Sequence, residues 1–201
     1  MEALTGSWGF ETMIYEKITS RRTIRKYVRK NIPKNVFIKC VDAARLSPSS
    51  MNLQPLKYMI VDDQRLLEKV FLTLKWAGYL PDYHPSKEEM PSGYIVILLD
   101  KDIRKSYGVD PGIAAMSISM VAYEEELGSC ILGAIDKPKL RRILNLPENL
   151  EIILVVALGY PAENPIVDRV KDGDIKYWLD SDQVLHVPKR DLEDILKWNE
   201  Y

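Results

Sequence analysis

The sequence has little of what most catalytic sites are built from. It holds two cysteines, Cys40 and Cys130, and two histidines, His84 and His186, among 201 residues. Two isolated thiols fit a reducing compartment better than a secreted disulfide scaffold. Without HExxH, CxxC or any cluster of ligand-type side chains, no metal site is expected. The absence of GxGxxG and of a Walker-type loop excludes the usual dinucleotide and P-loop sites. Neither GxSxG nor a Cys–His arrangement offers a nucleophile. An enzyme with this inventory needs a cofactor to carry its chemistry, and no side chain stands out as catalytic.

Charge and hydropathy restrict the function further. The net charge is -1, so the whole molecule has no bias toward nucleic acid or acidic membranes. The longest apolar run, Ile152 to Leu158, is strand-sized, far short of the ~20 residues that span a bilayer. The segment Met1–Phe10 lacks the basic start and apolar centre of a signal peptide, and is set apart as a candidate flexible extension. The balance of 46% apolar and 28% charged residues is that of a globular protein. One domain over residues 1–201, without repeats or a Pro/Gly linker, is expected in the cytoplasm.

Periodicity predicts mixed helix and strand. A helix over Glu11–Thr19 carries Met13, Ile14 and Ile18 on one face. Arg21–Tyr27 reads as extended, and Pro33 opens a helix to Leu46 with Val36, Phe37, Cys40, Val41 and Ala44 inward. A strand at Tyr58–Val61 precedes a helix over Asp62–Trp76, and a loop then leads to a buried strand at Tyr94–Leu99. A long, nearly all-apolar helix follows Asp110-Pro111-Gly112 and stops at Gly128. A short helix at Lys137–Leu144, a strand at Glu151–Leu158 and an amphipathic tail helix at Asp191–Trp198 complete the reading.

Four segments could carry chemistry. In Arg21–Lys30, six of ten residues are cationic, although the chain as a whole is near neutral. Arginine grips phosphate in a bidentate fork, and extended alternation puts Arg21, Thr23 and Arg25 on one face, Arg22 and Lys26 on the other. A solvated charged edge strand gives the same pattern, and a nucleic-acid patch is a weaker third reading for want of interleaved aromatics. Ser47–Pro55 offers hydroxyl and amide groups, or is simply a turn. Gly128–Ala134 is small enough for close approach to a flat ligand, or is a helix exit, with Cys130 a buried small side chain. His186-Val187-Pro188-Lys189-Arg190 brings cations to a helix start, where an anion would relieve them.

In this order and spacing the four segments resemble the FMN-dependent nitroreductase family. The resemblance runs from about Tyr15 to Trp198 and includes Leu74–Leu80, Asp110–Ala115 and Val187–Arg190. It implies an α+β fold, a central mixed β-sheet flanked by helices, built as an intertwined homodimer with two FMN sites. It also implies roles. Arg21, Arg22 and Thr23 hold the FMN phosphate and ribityl chain, with Lys189 and Arg190 adding charge from the far end of the polypeptide. Arg25 lies at the flavin N1/O2 edge, where a cation favours the reduced, more negative ring. Lys75 is a further contact, and Pro48, Ser49, Ser50, Asn52 and Gln54 come from the partner subunit. Ile131, Leu132 and Gly133 present a backbone N–H to flavin N5.

Leu56 and Ser129 depart from the commoner family residues, Trp and Gly. The implied activity is ping-pong transfer of hydride from NADH or NADPH, through flavin N5, to an electron-poor small molecule such as a nitroaromatic or quinone. A flavin storage or sensing protein is the alternative. Neither nucleic acid nor a membrane is an expected partner, and Pro81–Ser92 is the candidate lid.

Overall fold

A computed structural model describes residues 11–80 and 82–200. The expected extension at residues 1–10 lies outside them. Helix α1 covers Glu11–Ser20, and a two-residue strand, β1, covers Tyr27–Val28. Pro33, extended at φ -60°, leads into α2 at Lys34–Leu46, which buries Val36, Phe37, Cys40 and Ala44. Strand β2 is Leu56–Val61, and α3, capped by the Asp63 side chain, is Gln64–Phe71. Strand β3 spans Gly93–Asp100, α4 spans Asp110–Glu124, and β4 spans Gly128–Leu132. Helix α5, Lys137–Leu144, then leads to β5 at Leu150–Pro161. The last elements are β6 (Ile166–Arg169), β7 (Trp178–Leu179), β8 (Leu185–Lys189) and α6 (Leu192–Ile195).

Strand β5 organises the main sheet. It pairs antiparallel with β3 along one edge and β4 along the other, β2 lies outside β3, and β1 joins its last residues. Parallel pairing enters through a bridge between Thr23 and Ser129 and through β6–β8 in a smaller three-stranded sheet. The architecture is the expected α+β, with mixed sheets flanked by helices.

Alternation divides the core between the two faces of the main sheet. Tyr94, Val96 and Leu98 of β3 pack with Leu67, Val70, Leu140 and Leu144 of α3 and α5. Ile95 and Ile97 pack instead with Phe37, Cys40, Ala115, Ile118 and Ala122 of α2 and α4. Each fully buried Val, Leu or Ile contributes about 1.5–3 kcal/mol. Exposed ion pairs such as Arg45–Asp42 contribute about 0–1 kcal/mol each, so these two clusters hold the fold together.

Several expectations need correction. The third helix ends at Phe71, five residues short of Trp76, because Thr73 turns back onto Val70 and Leu74 bridges Ile135. Gly128 is not a helix stop. Glu126 takes the left-handed turn at φ 61°, and Gly128 begins a strand that the sequence reading missed. A methyl group at Gly128 would fall 2.6 Å from Ile24 Cβ, so the glycine serves packing against Ile24. The tail forms a helix of only four residues, Leu192–Ile195. Lys189 and His186 lie on strand β8, so the argument from cations at a helix start does not apply. Ile14 and Ile18 of α1 are exposed, as are Leu192, Ile195 and Trp198. No described helix is long and apolar enough to cross a membrane.

Candidate flavin-binding edge

Strand β4 is an edge strand, and its outer edge is covered only in part. Ile24 N–H donates to Ser129 O at 3.0 Å, so the backbone polar groups of Ser129 face outward. Two residues on, alternation turns the Ile131 N–H outward as well, while Gly128, Cys130 and Leu132 pair with β5. Further along, Lys75 N–H donates to Ala134 O at 3.0 Å, and Leu74 bridges Ile135. Between these closures Ile131 and Gly133 are exposed. The five steps from Ser129 to Ala134 span about 16 Å at strand rise.

One end of this gap is cationic. Thr23 bridges Ser129, which brings the segment holding Arg21 and Arg25 alongside β4 and the buried Cys130. Arg21 is half-buried, and its Nε has no hydrogen-bond partner among the described residues. Burial first, and then the Arg22 charge, pulls its pKa below the ordinary arginine value. No carboxylate pairs with it among the described residues. The Ser129 hydroxyl is likewise buried and unpartnered among the described residues. Burial pushes the Cys130 thiol up to about 11, in keeping with an inert small side chain.

Arg25 is positioned by residues that the sequence did not single out. Its backbone N–H donates to Glu163, which also accepts from the Tyr83 hydroxyl. Its guanidinium lies 5.2 Å from the centre of the Tyr177 ring, and Tyr177 Oη accepts from Tyr79 N–H. Arg22 lines a cavity of about 170 Å³ with Ile24, Tyr123 and Glu163, which neither Arg21 nor Arg25 lines. Tyr83 and Met90 are buried and Lys26 pairs with Glu89, so the candidate lid loop is tied down at several points.

The loop Pro48–Gln54 stands elsewhere. It precedes β2, three strand positions across from β4, and Leu56 aligns through Leu99 with Glu151, five residues along β5 from the partner of Ile131. Strand spacing and rise make that separation about 20 Å. Within one chain, the structure sets the segments holding Arg21, Thr23, Arg25 and Lys75 along β4 with Ile131, Leu132 and Gly133, but leaves the loop at the opposite edge of the sheet.

Lys189 and Arg190 close the far end of β8, and the cavity beside that strand, lined by Asp168, Arg169, Trp178 and Pro188, includes neither Arg21 nor Arg190. Nearby, His186 Nδ1 and Nε2 face Asp168 Oδ2 at 2.5 Å and Asp180 Oδ2 at 3.1 Å, with the ring stacked on Trp178. Asp168, then Asp180, raises the His186 pKa above 6.5. The Val184 N–H, then His186, lowers that of Asp180. The raised histidine contributes stability that is full below about pH 6.5 and is lost as pH rises through the folded pKa. The lowered Asp180 contributes above about pH 3.9 and loses this as pH falls through its folded value. The small sheet is therefore expected to resist amide exchange best between these limits. His186→Gln should flatten its decline toward pH 8.5; an unchanged profile would show that the clasp does not titrate.

Comparison with known proteins gives first the class. A crystal structure from Parabacteroides distasonis, provisionally named NADH dehydrogenase/NAD(P)H nitroreductase, superposes with a TM-score of 0.69 at 22% identity, covering 95% of this chain and 100% of that one. An FMN-dependent nitroreductase from Clostridium difficile R20291 gives 0.67 at 24% identity, over 93% and 99%. The fold is that of the nitroreductases. The sequence then gives the family. The Nitroreductase family profile matches residues 18–160. A Methanothermobacter thermautotrophicus protein, also provisionally named NADH dehydrogenase/NAD(P)H nitroreductase, is 30% identical over 170 residues, covering 80% of this chain and 84% of that protein. The chain belongs to the nitroreductase family and is an oxidoreductase of that kind.

Proposed function

We propose that this chain is a single-domain, cytoplasmic FMN oxidoreductase that acts as a homodimer, taking reducing equivalents from NADH or NADPH and passing them to an electron-poor small molecule. The observation that carries this reading is the half-buried Arg21, without an ion-pair partner among the described residues, beside the open backbone edge at Ile131. Such a site fits a phosphate joined to a flat ring system. When bound, FMN would accept hydride at N5 and deliver it to the second substrate in ping-pong order.

The chain's own residues have separate tasks. Arg21 and Thr23 hold the phosphate end, with Arg22, Lys189 and Arg190 adding positive charge. Arg25 supplies a cation at the ring edge that gains electron density, and Lys75 adds a polar contact at the other end of the gap. Ile131 donates its free N–H, while Leu132 and Gly133 leave the neighbouring surface low. Pro48, Ser49, Ser50, Asn52 and Gln54 would reach the site from a second copy, since their own chain holds them across the sheet. Exposed Ile14, Tyr15 and Ile18 share one face of α1 and support that association, because a contiguous apolar helix face calls for a covering partner.

Purified protein is expected to be yellow, to release flavin on denaturation, and to bleach rapidly on anaerobic mixing with NADH or NADPH. An acceptor panel then identifies the oxidant. Colourless protein that takes up no added FMN would overturn the proposal. Bound flavin that neither nucleotide reduces would leave a storage or sensing protein.

A further inference from the structure

We infer that Asp110 is a positioning residue for the flavin, acting through Ser49 to set the shape of the Pro48–Gln54 loop. This rests on the reading of that loop as part of the flavin site. Asp110 lies in the first turn of α4 and is 2% exposed. Its Oδ2 accepts from Ser49 Oγ at 2.7 Å, and its Oδ1 accepts from the Ser50 N–H at 3.2 Å. Ser49 Oγ in turn accepts from the Gln54 N–H at 3.0 Å, closing the loop upon itself. No cation pairs with Asp110 among the described residues, so these loop donors and the helix N-terminus are what offset its charge.

The loop needs such an anchor. Met51, Asn52 and Gln54 hold φ of 54°, 54° and 50°, and none of them is glycine. Left-handed backbone at three of four successive positions persists only where its surroundings over-determine it. The Asp110–Ser49–Gln54 relay supplies that determination from within. It also divides the loop's labour. The Ser49 hydroxyl donates its one hydrogen bond to Asp110 and accepts from the Gln54 N–H, so it has little left to offer a ligand. Ser50, Asn52 and Gln54 are exposed, and although Gln54 Nε2 donates to Asn52 O at 3.2 Å, their remaining polar groups are the ones that would meet a ligand.

The test compares FMN affinity, by flavin fluorescence quenching, for wild type, Asp110→Ala, Asp110→Asn, Ser49→Ala and the Asp110→Ala/Ser49→Ala double variant. Loss of hydrogen bonds to a charged acceptor is expected to weaken FMN binding roughly 10- to 100-fold in Asp110→Ala. Ser49→Ala shifts it less and in the same direction. The double variant should match Asp110→Ala alone, because both changes break one relay. Should Asp110→Ala fail to fold, Ser49→Ala and Asp110→Asn carry the comparison, each weakening FMN in folded dimer.

Differently tagged Arg21→Ala and Asp110→Ala subunits, mixed into one dimer, supply a readout that general destabilisation cannot mimic. One site then carries both defects and the other neither, so one FMN binds per dimer with wild-type affinity. A lowered melting temperature with unchanged FMN affinity, additive effects in the double variant, or no intact site in the mixed dimer would each overturn the inference. Wild type that binds no FMN would instead overturn the flavin reading itself.

Discussion

Arg21→Ala is expected to weaken FMN binding by roughly 100-fold or more. A guanidinium can make two charge-assisted hydrogen bonds to a phosphate, and each such bond contributes about 1.5–3 kcal/mol. The starting state of this arginine makes the upper end reasonable. It is already half-buried, its Nε is unpartnered, and Arg22 beside it raises the cost of its charge. A dianion entering the gap relieves all three penalties together, whereas an exposed lysine or arginine would gain only a screened contact. Arg21→Lys keeps the charge but loses the fork, and should fall between wild type and Arg21→Ala. Arg190→Ala is the contrasting case. Arg190 is exposed just past the end of β8, so its loss should cost less and shrink as salt is added. Fluorescence titration at low and at high ionic strength separates the three. Equal affinity for wild type and Arg21→Ala would remove the phosphate role from this residue.

The regular elements were legible because their signals are local. Pro33 and the apolar spacing of Val36, Phe37, Cys40 and Ala44 define α2 from the sequence, and the unbroken apolar run of β3 announces a strand buried on both faces. Strand β4 was not legible, since Gly128 imitates a helix stop. Its missing side chain answers to Ile24, a contact that no window of sequence contains. The apolar face of α1 was legible from its spacing, but Ile14 and Ile18 prove to be exposed in this chain. Helical spacing marks a face for burial but does not say whether this chain or another covers it.

The same limit applies to the candidate site. Alternation paired Arg21 with Arg25, because that is a property of any extended segment. Glu163 and Tyr177, which hold Arg25 in place, are about 140 and 150 positions away and carry no motif. Asp110 read only as a helix start, and its carboxylate proves to be spent on Ser49 and Ser50. Residues that would touch a ligand left a pattern in the sequence. Residues that aim them did not.

Ile131→Pro is expected to slow reduction of the bound flavin by NADH or NADPH about 100-fold, the scale on which one preorganised backbone donor acts. Proline in a sheet interior normally destroys the strand, which would make the experiment useless. Here the edge geometry protects it. Pairing with β5 runs through Gly128, Cys130 and Leu132, whereas Ser129 faces outward to Ile24, so the Ile131 N–H is not part of the ladder. Ile131 is also 42% exposed, so little packing is lost with its side chain. A proline on the solvent side of an edge strand removes only the outward donor. Melting temperature should change little, and FMN should remain bound through its phosphate. Leu132→Pro, one residue on, supplies the opposite case. Leu132 is buried and its N–H pairs with β5, so that variant should lose several kcal/mol of stability. If Ile131→Pro reduces its flavin as fast as wild type while Leu132→Pro unfolds, the free N–H of β4 takes no part in the reaction.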